Sequence, residues 1–142
     1  MPAKPVIDFQ PAECAGIVKR ERHIAILFPA QAMYFEHWEK TGVISYYRCE
    51  LRVWDGKLLL PASRVPAACD NLTVKYPGGS RRCFFPLAFR TRGPSKVIFE
   101  FDDDIAKDLP VAQGSAVTLR VLRKVKEEKI EFMRPASSAI KE

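Results

Sequence analysis

Basic and aromatic side chains alternate along the stretch from Ser45 to Trp54. In a β-strand, successive side chains point to opposite faces, so one face of this stretch carries Tyr46, Arg48, Arg52 and Trp54. Aromatic rings stack on nucleobases and guanidinium groups bind phosphate, which gives this face the chemistry of a nucleic-acid surface. The alternative is that the two aromatic rings pack beneath a loop while the arginines pair with Glu50.

Other basic residues cluster after a glycine turn, in a later loop and on a late strand. Gly78-Gly79 precedes Arg81 and Arg82, and the amides of such a turn can form an anion-binding nest beside guanidinium groups. The alternative for this segment is a solvated hairpin tip. The complete set of predicted nucleic-acid-binding residues is Tyr46, Arg48, Arg52, Trp54, Arg81, Arg82, Arg90, Arg92, Lys96, Arg120 and Lys124.

Residues that could support catalysis or bind a metal are sparse. There are two histidines, His23 and His37, and no Gly-x-Ser-x-Gly nucleophile motif. The Asp102-Asp103-Asp104 run favours a helix cap, because three adjacent carboxylates cannot all face one cation. The wide spacing of the four cysteines favours reduced core thiols over disulfides or zinc; they are Cys14, Cys49, Cys69 and Cys83. We therefore predict a non-enzymatic protein with no catalytic residue, no metal site and no cofactor.

Length and composition are those of one globular domain. The chain has 142 residues, so we predict a single domain over residues 1–142, with a core from about residue 6 to about residue 133 and polar tails at both ends. The net charge of +6 favours an acidic partner, either nucleic acid or an acidic protein surface. Without a long apolar run or an N-terminal signal pattern, we expect no membrane partner and a cytoplasmic, intracellular location.

Period-two patterns dominate the chain and predict a mainly β fold. We expect a β-barrel or β-sandwich of about six to eight antiparallel strands. Gly16–Phe28 is predicted to be one extended segment that ends at Pro29. One α-helix is predicted near residues 30–41, because Pro29 suits a first helical turn and Gly42 suits the position after a helix end.

Three hairpins are predicted from the turn residues. Asp55-Gly56 predicts a type I′ turn that pairs the Ser45–Trp54 strand with residues 57–60. Pro77-Gly78-Gly79 predicts a second hairpin, between Leu72–Tyr76 and Ser80–Phe85. The third predicted hairpin joins Ala116–Lys126 to Lys129–Met133 through Glu127-Glu128. Residues 102–109 are predicted to form a single capped helical turn before Pro110.

Two functions of different classes follow from these patterns. The first is a non-enzymatic nucleic-acid-binding β-barrel, with the choice between DNA and RNA left open. The second is a protein-interaction module, such as an inhibitor or adaptor, that covers an acidic partner surface and uses Tyr34, Trp38 and Trp54 as anchors. Homodimerisation through an exposed strand edge is also left open.

Overall fold

The computed structural model describes residues 4–35, 43–102 and 108–129. Within these ranges the chain forms strands and one short 3-10 helix, Ala62–Arg64, and the predicted mainly β class is confirmed. No helix in these ranges is long and apolar enough to cross a bilayer. The strands are β1 Pro5–Asp8, β2 Ala12–Glu13, β3 Gly16–Lys19, β4 His23–Phe35, β5 Val43–Trp54, β6 Lys57–Leu58, β7 Ala68–Cys69, β8 Asn71–Tyr76, β9 Gly79–Arg82, β10 Phe84–Pro86, β11 Ser95–Glu100, β12 Leu109–Gly114 and β13 Ala116–Lys129.

The strands form two antiparallel sheets and a small two-stranded sheet. The six-stranded sheet has the order β10-β1-β4-β5-β13, with β3 also paired to β4. The five-stranded sheet has the order β6-β12-β11-β8-β9, and β2 pairs with β7. Neither sheet closes on itself within the described strands, so the predicted barrel is not formed there, and the described strands outnumber the predicted six to eight.

Both sheets contribute side chains to one hydrophobic core. The predicted alternation in β5 is confirmed, since Cys49, Leu51 and Val53 are buried in this core. Val117 and Leu119 of β13, which stand opposite Val53 and Leu51, are buried beside them. The five-stranded sheet contributes to the same core from β8, β11 and β12: Leu72, Val74, Val97, Phe99, Val111 and Ala112.

The α-helix predicted near residues 30–41 is wrong in its described part. Residues 30–35 belong to β4, and residues 36–41 lie outside the described ranges, with Trp38 among them. Pro29 is tolerated in this strand because the register between β4 and β5 shifts between Phe28 and Gln31. A bulge leaves the proline without a ladder hydrogen bond to donate.

Gln31 then fills the gap between the two strands that border β4 on its other edge. β3 pairs with β4 up to Leu27, and β1 pairs with it from Met33. The buried Gln31 amide donates to the carbonyls of Asp8 (2.7 Å) and Pro11 (2.9 Å) and accepts from the amide of Glu13 (3.0 Å). A polar side chain thereby replaces missing strand hydrogen bonds, which sequence periodicity does not reveal.

The predicted hairpin at Asp55-Gly56 is also wrong. β6 pairs with β12 in the five-stranded sheet, whereas β5 pairs with β4 and β13. The Trp54 carbonyl accepts from the Ser115 amide at 2.8 Å, so it is already engaged by another segment. A Cβ at Gly56 would lie 2.6 Å from the Val53 carbonyl oxygen, which shows how tightly the chain turns as it passes between sheets.

The other predicted turns have mixed outcomes. The Pro77-Gly78-Gly79 turn is confirmed, but its hairpin ends at Arg82, and the chain crosses to pair β10 with β1. Gly16–Phe28 is two strands, because β3 turns back onto β4. The Glu127-Glu128 turn is wrong, since β13 continues to Lys129 beside β5. Leu109 and Pro110 lie in β12, and the remainder of the predicted helical turn falls largely outside the described ranges.

Candidate functional site

The outer face of the β5–β13 pair, called the ribbon face below, carries most of the predicted binding residues. Directly opposite residues of antiparallel strands place their side chains on the same face. The register therefore groups Tyr46 with Lys126, Arg48 with Arg123, Glu50 with Arg120, Arg52 with Thr118 and Trp54 with Ala116. Apart from Glu50, none of these residues is acidic.

Two bulges in β13 decide which of its basic residues reach the ribbon face. The register shifts between Val121 and Arg123, and again between Lys124 and Lys126. These shifts bring Arg123 and Lys126 onto the ribbon face and leave Lys124 opposite Tyr47, where it pairs with Glu127. Strict alternation would instead place Lys124 on the same face as Arg120, and Arg123 was not among the predicted binding residues.

Glu50 organises the middle of the ribbon face. Its side chain is buried, and its Oε2 lies 2.6 Å from Arg20 Nη1 and 3.1 Å from Arg52 Nε. Burial raises the pKa of Glu50, but the hydrogen bonds and charges of the two arginines outweigh it and hold that pKa below its ordinary value. Arg52 therefore neutralises a buried carboxylate. Arg20, in the β3–β4 turn, also pairs with Glu50, although no sequence pattern indicated a role for it.

Trp54 is held at one end of the ribbon face. Its indole Nε1 donates to Thr118 Oγ1 at 3.0 Å, and its ring lies 4.7 Å from that of His23. Arg20 Nη1 lies 3.3 Å from His23 Nε2, and because a guanidinium only donates, this nitrogen must carry the lone pair. Burial and the charges of Arg52 and Arg20 lower the pKa of His23, which favours the neutral imidazole.

Tyr46 occupies the other end of the ribbon face. Lys126 Nζ lies 4.6 Å from the centroid of its ring, a cation–π contact. Burial raises the pKa of Tyr46, and the carboxylates of Glu128 and Asp8 add to this shift. Acidic groups thus border this end, and the uncompensated positive charge is concentrated at Arg48, Arg120 and Arg123.

The remaining predicted residues lie away from the ribbon face or at its margin. Arg81, Arg90 and Arg92 line one open cleft of about 470 Å³, called the arginine cleft below. Lys96 stands opposite Lys75 and lines a neighbouring depression of about 270 Å³. Arg82 pairs with Glu100 at 2.7 Å. Most of the eleven predicted residues therefore lie on the ribbon face or in the arginine cleft. Three of the eleven, Arg52, Arg82 and Lys124, form ion pairs with glutamates.

The cysteines have the properties of inert thiols. All four are free. Burial raises the pKa of Cys49 and of Cys69 to about 12, and it also raises the pKa of Cys14 and Cys83. A protonated thiol is a poor nucleophile and a poor metal ligand. Within residues 4–35, 43–102 and 108–129, no three His, Cys, Asp or Glu side chains cluster as metal ligands.

Comparison of the chain with protein-family models, with curated proteins and with solved structures finds no match. No residue role is therefore transferred from a relative. What the ribbon face and the arginine cleft can bind follows from their own geometry and charge.

Proposed function

We propose that this protein is a non-enzymatic nucleic-acid-binding domain that holds the phosphate backbone on its ribbon face. The observation that carries the proposal is the placement of Arg48 directly opposite Arg123. Like charges at directly opposite positions repel, so this pair weakens the sheet unless an anion lies across it. Both side chains are exposed, and neither forms an ion pair with any described residue.

The neighbouring residues support a polyanion over a single small anion. Arg120 extends the charge along the ribbon face towards Glu50, and Lys126 extends it towards Tyr46. The Glu50 carboxylate does not offset these charges, because Arg20 and Arg52 already neutralise it. A line of cations along one pair of strands suits the regularly spaced phosphates of a nucleic-acid strand.

The two aromatic residues of the ribbon face, Tyr46 and Trp54, have a secondary role in the proposed binding. The Trp54 ring is tied to Thr118 and covered by His23, and the Tyr46 ring faces Lys126. Stacking of a base on Tyr46 would require Lys126 to move away from the Tyr46 ring. We therefore expect binding to depend mainly on phosphate contacts, with weak preference among sequences.

The scaffold proposed for this surface is a β-sandwich. Its support is the single core shared by the two antiparallel sheets, neither of which closes within the described strands. In such an arrangement the outer face of the β5–β13 pair is free to meet a ligand.

The experiment compares Arg48→Ala/Arg123→Ala with wild type by fluorescence anisotropy, using labelled single- and double-stranded DNA and RNA across a salt series. Two lost phosphate contacts should make the slope of log K against log salt shallower by about 1.4–1.8. Arg64→Ala/Lys124→Ala is the matched control, because it removes the same charge from an exposed 3-10 helix and from the opposite face of β13. Equal losses in the two variants would reduce the effect to net charge and contradict the ribbon face. Absence of wild-type binding at low salt would overturn the proposal and favour a protein partner.

A further inference from the structure

The arginine cleft is built by two segments that lie close together in sequence, within residues 76–92. Residues 89–91 add to the edge of β13 that β5 leaves free: the Thr91 amide donates to the Val117 carbonyl at 2.8 Å, and the Leu119 amide donates to the Phe89 carbonyl at 3.0 Å. Arg90 bridges to Thr118 in the same pairing. The second segment is the β8–β9 hairpin, which contributes Tyr76 and Arg81.

A buried hydroxyl network fixes the loop that carries Arg90 and Arg92. The Thr91 and Ser95 hydroxyls lie 2.6 Å apart and are both buried. Ser95 Oγ donates to the Gly93 carbonyl at 2.9 Å, and the Val117 amide donates to Thr91 Oγ1 at 2.8 Å. The backbone that carries the two arginines is therefore held in place without a ligand, which lowers the entropic cost of ordering this loop on binding.

Gly93 locks this loop against the hairpin turn. Its φ of +90° is unfavourable for other residues, and an added Cβ would lie 3.0 Å from Pro77 Cγ. This close approach brings Arg92 to the same cleft as Arg81. The Arg81 guanidinium is itself oriented, because its Nε donates to the Phe84 carbonyl at 2.6 Å.

The cleft combines strong positive charge with an aromatic wall. None of the described residues that line it is acidic, and neither Arg90 nor Arg92 forms an ion pair with a described residue. Tyr76 and Phe89 lie edge to face, with ring centroids 6.3 Å apart. The volume of about 470 Å³ is within the range of ligand pockets.

From this juxtaposition we infer that the arginine cleft binds the phosphate monoester of a nucleotide, with the sugar and base against Tyr76 and Phe89. A phosphate monoester carries close to two negative charges at neutral pH and three acceptor oxygens, which matches several guanidinium groups better than a carboxylate does. The aromatic wall favours a nucleotide over a phosphate without a planar group. The nucleotide can be free or can be the phosphorylated end of a strand, and the second case rests on the proposed function.

Recognition of the nucleotide phosphate monoester, which both sources have in common, is tested by isothermal titration calorimetry on the full chain. The ligands are adenosine 5′-monophosphate, adenosine and inorganic phosphate. We expect the monophosphate to bind at least about tenfold more tightly than either fragment, and Arg90→Ala/Arg92→Ala to weaken it by about tenfold or more for each arginine. Arg90→Lys/Arg92→Lys should recover part of the affinity, because lysine keeps the charge and loses the bidentate geometry. The thermal midpoint of each variant separates a lost contact from a lost fold.

The two sources of the phosphate are separated with thymidine oligonucleotides that carry a 5′-phosphate or a 5′-hydroxyl. Preference for the phosphorylated end, abolished in Arg90→Ala/Arg92→Ala, supports the strand end as ligand even where the mononucleotide binds weakly. Monophosphate binding without end preference supports a free nucleotide. Binding of inorganic phosphate as tight as the mononucleotide, or neither monophosphate binding nor end preference, overturns the inference.

Mononucleotide binding by the arginine cleft should not depend on the ribbon face. Arg48→Ala/Arg123→Ala should leave binding of adenosine 5′-monophosphate unchanged, because neither residue lines the cleft. Loss of oligonucleotide binding with retained mononucleotide binding in that variant supports two separate surfaces. A failure of the proposed function is therefore distinguishable from a failure of this inference.

Discussion

Two groups of arginines in this protein have opposite surroundings. In the ribbon face, Arg20 and Arg52 surround the buried carboxylate of Glu50. In the arginine cleft, Arg90 and Arg92 stand on a rigid loop beside aromatic rings, with no acidic group among the described lining residues. Arg20 and Arg52 serve mainly the fold, because their positive charge neutralises the Glu50 carboxylate. The second group keeps its charge available for a ligand.

The largest expected effect tests this difference through stability. Arg20→Ala/Arg52→Ala should lower the free energy of unfolding by about 2–3 kcal/mol, because it leaves Glu50 buried without a partner. This value is below that of a fully buried pair, since the Arg20 side chain is 38% exposed. The measurement is urea denaturation monitored by circular dichroism.

The cleft supplies the control for that experiment. Arg90→Ala/Arg92→Ala should change the free energy of unfolding by no more than about 0.5 kcal/mol for each residue, because no ion pair to a described residue is lost. Similar destabilisation in the two double variants would remove the contrast between the two groups. Addition of Glu50→Gln to Arg20→Ala/Arg52→Ala should restore part of the loss.

A smaller effect is expected from Gly93→Ala, which tests the rigidity of the cleft. Added backbone strain and the contact with Pro77 should together cost roughly 1–2 kcal/mol, and displacement of the loop should weaken mononucleotide binding. Gly78→Ala is a matched control, since Gly78 has a similar φ of +91° but an added Cβ would meet nothing within 4 Å. Equal effects of the two substitutions on binding would show that the Gly93–Pro77 contact does not position the arginines.

The smallest effect is the pH dependence that Glu50 and His23 contribute at the ribbon face. The pKa of Glu50 is lowered in the folded state, so the stability from its pairing is present above its unfolded pKa of about 4.3 and is lost as the pH falls through the folded pKa. The pKa of His23 is also lowered, so the unfolded chain takes up that proton first, and stability declines as the pH falls below about 6.5.

These two steps are separable by substitution. Urea midpoints of wild type, His23→Phe and Glu50→Gln across about pH 7 to pH 3 should show each variant losing one of the two declines. Arg90→Ala/Arg92→Ala should retain both, because the described charged partners of Glu50 and His23 are Arg20 and Arg52. The same pH dependence in wild type, His23→Phe and Glu50→Gln would contradict both pKa directions.

Much of the strand content and the core-facing side of β5 were predictable from period-two alternation. Cys49, Leu51 and Val53 are buried as expected, because a strand with one buried face must repeat its apolar residues every second position. The β8–β9 turn was predictable for a similar local reason, since glycine supplies the positive φ at Gly78. In both cases the determining interactions lie within a few residues of each other.

Strand partners were not predictable from the same patterns. Asp55-Gly56 has the residues of a hairpin turn, but Ser115 occupies the Trp54 carbonyl, and β6 joins the other sheet. Pro29 and the residues after it suit a helix start, yet the bulge and the Gln31 side chain make a strand possible there. Each decision depends on a segment distant in sequence, which local propensity does not register.

The amino-acid sequence alone determined a basic, mainly β chain with arginines placed on recognisable strands and loops, because composition and alternation are local properties. Only the tertiary structure decided which arginines are neutralised and which remain available. Two bulges bring Arg123 beside Arg48, a buried glutamate engages Arg52, and a glycine packed on a proline joins Arg92 to Arg81. The physical reason is that the effect of a charge depends on its neighbours in space, and long-range pairing sets those neighbours.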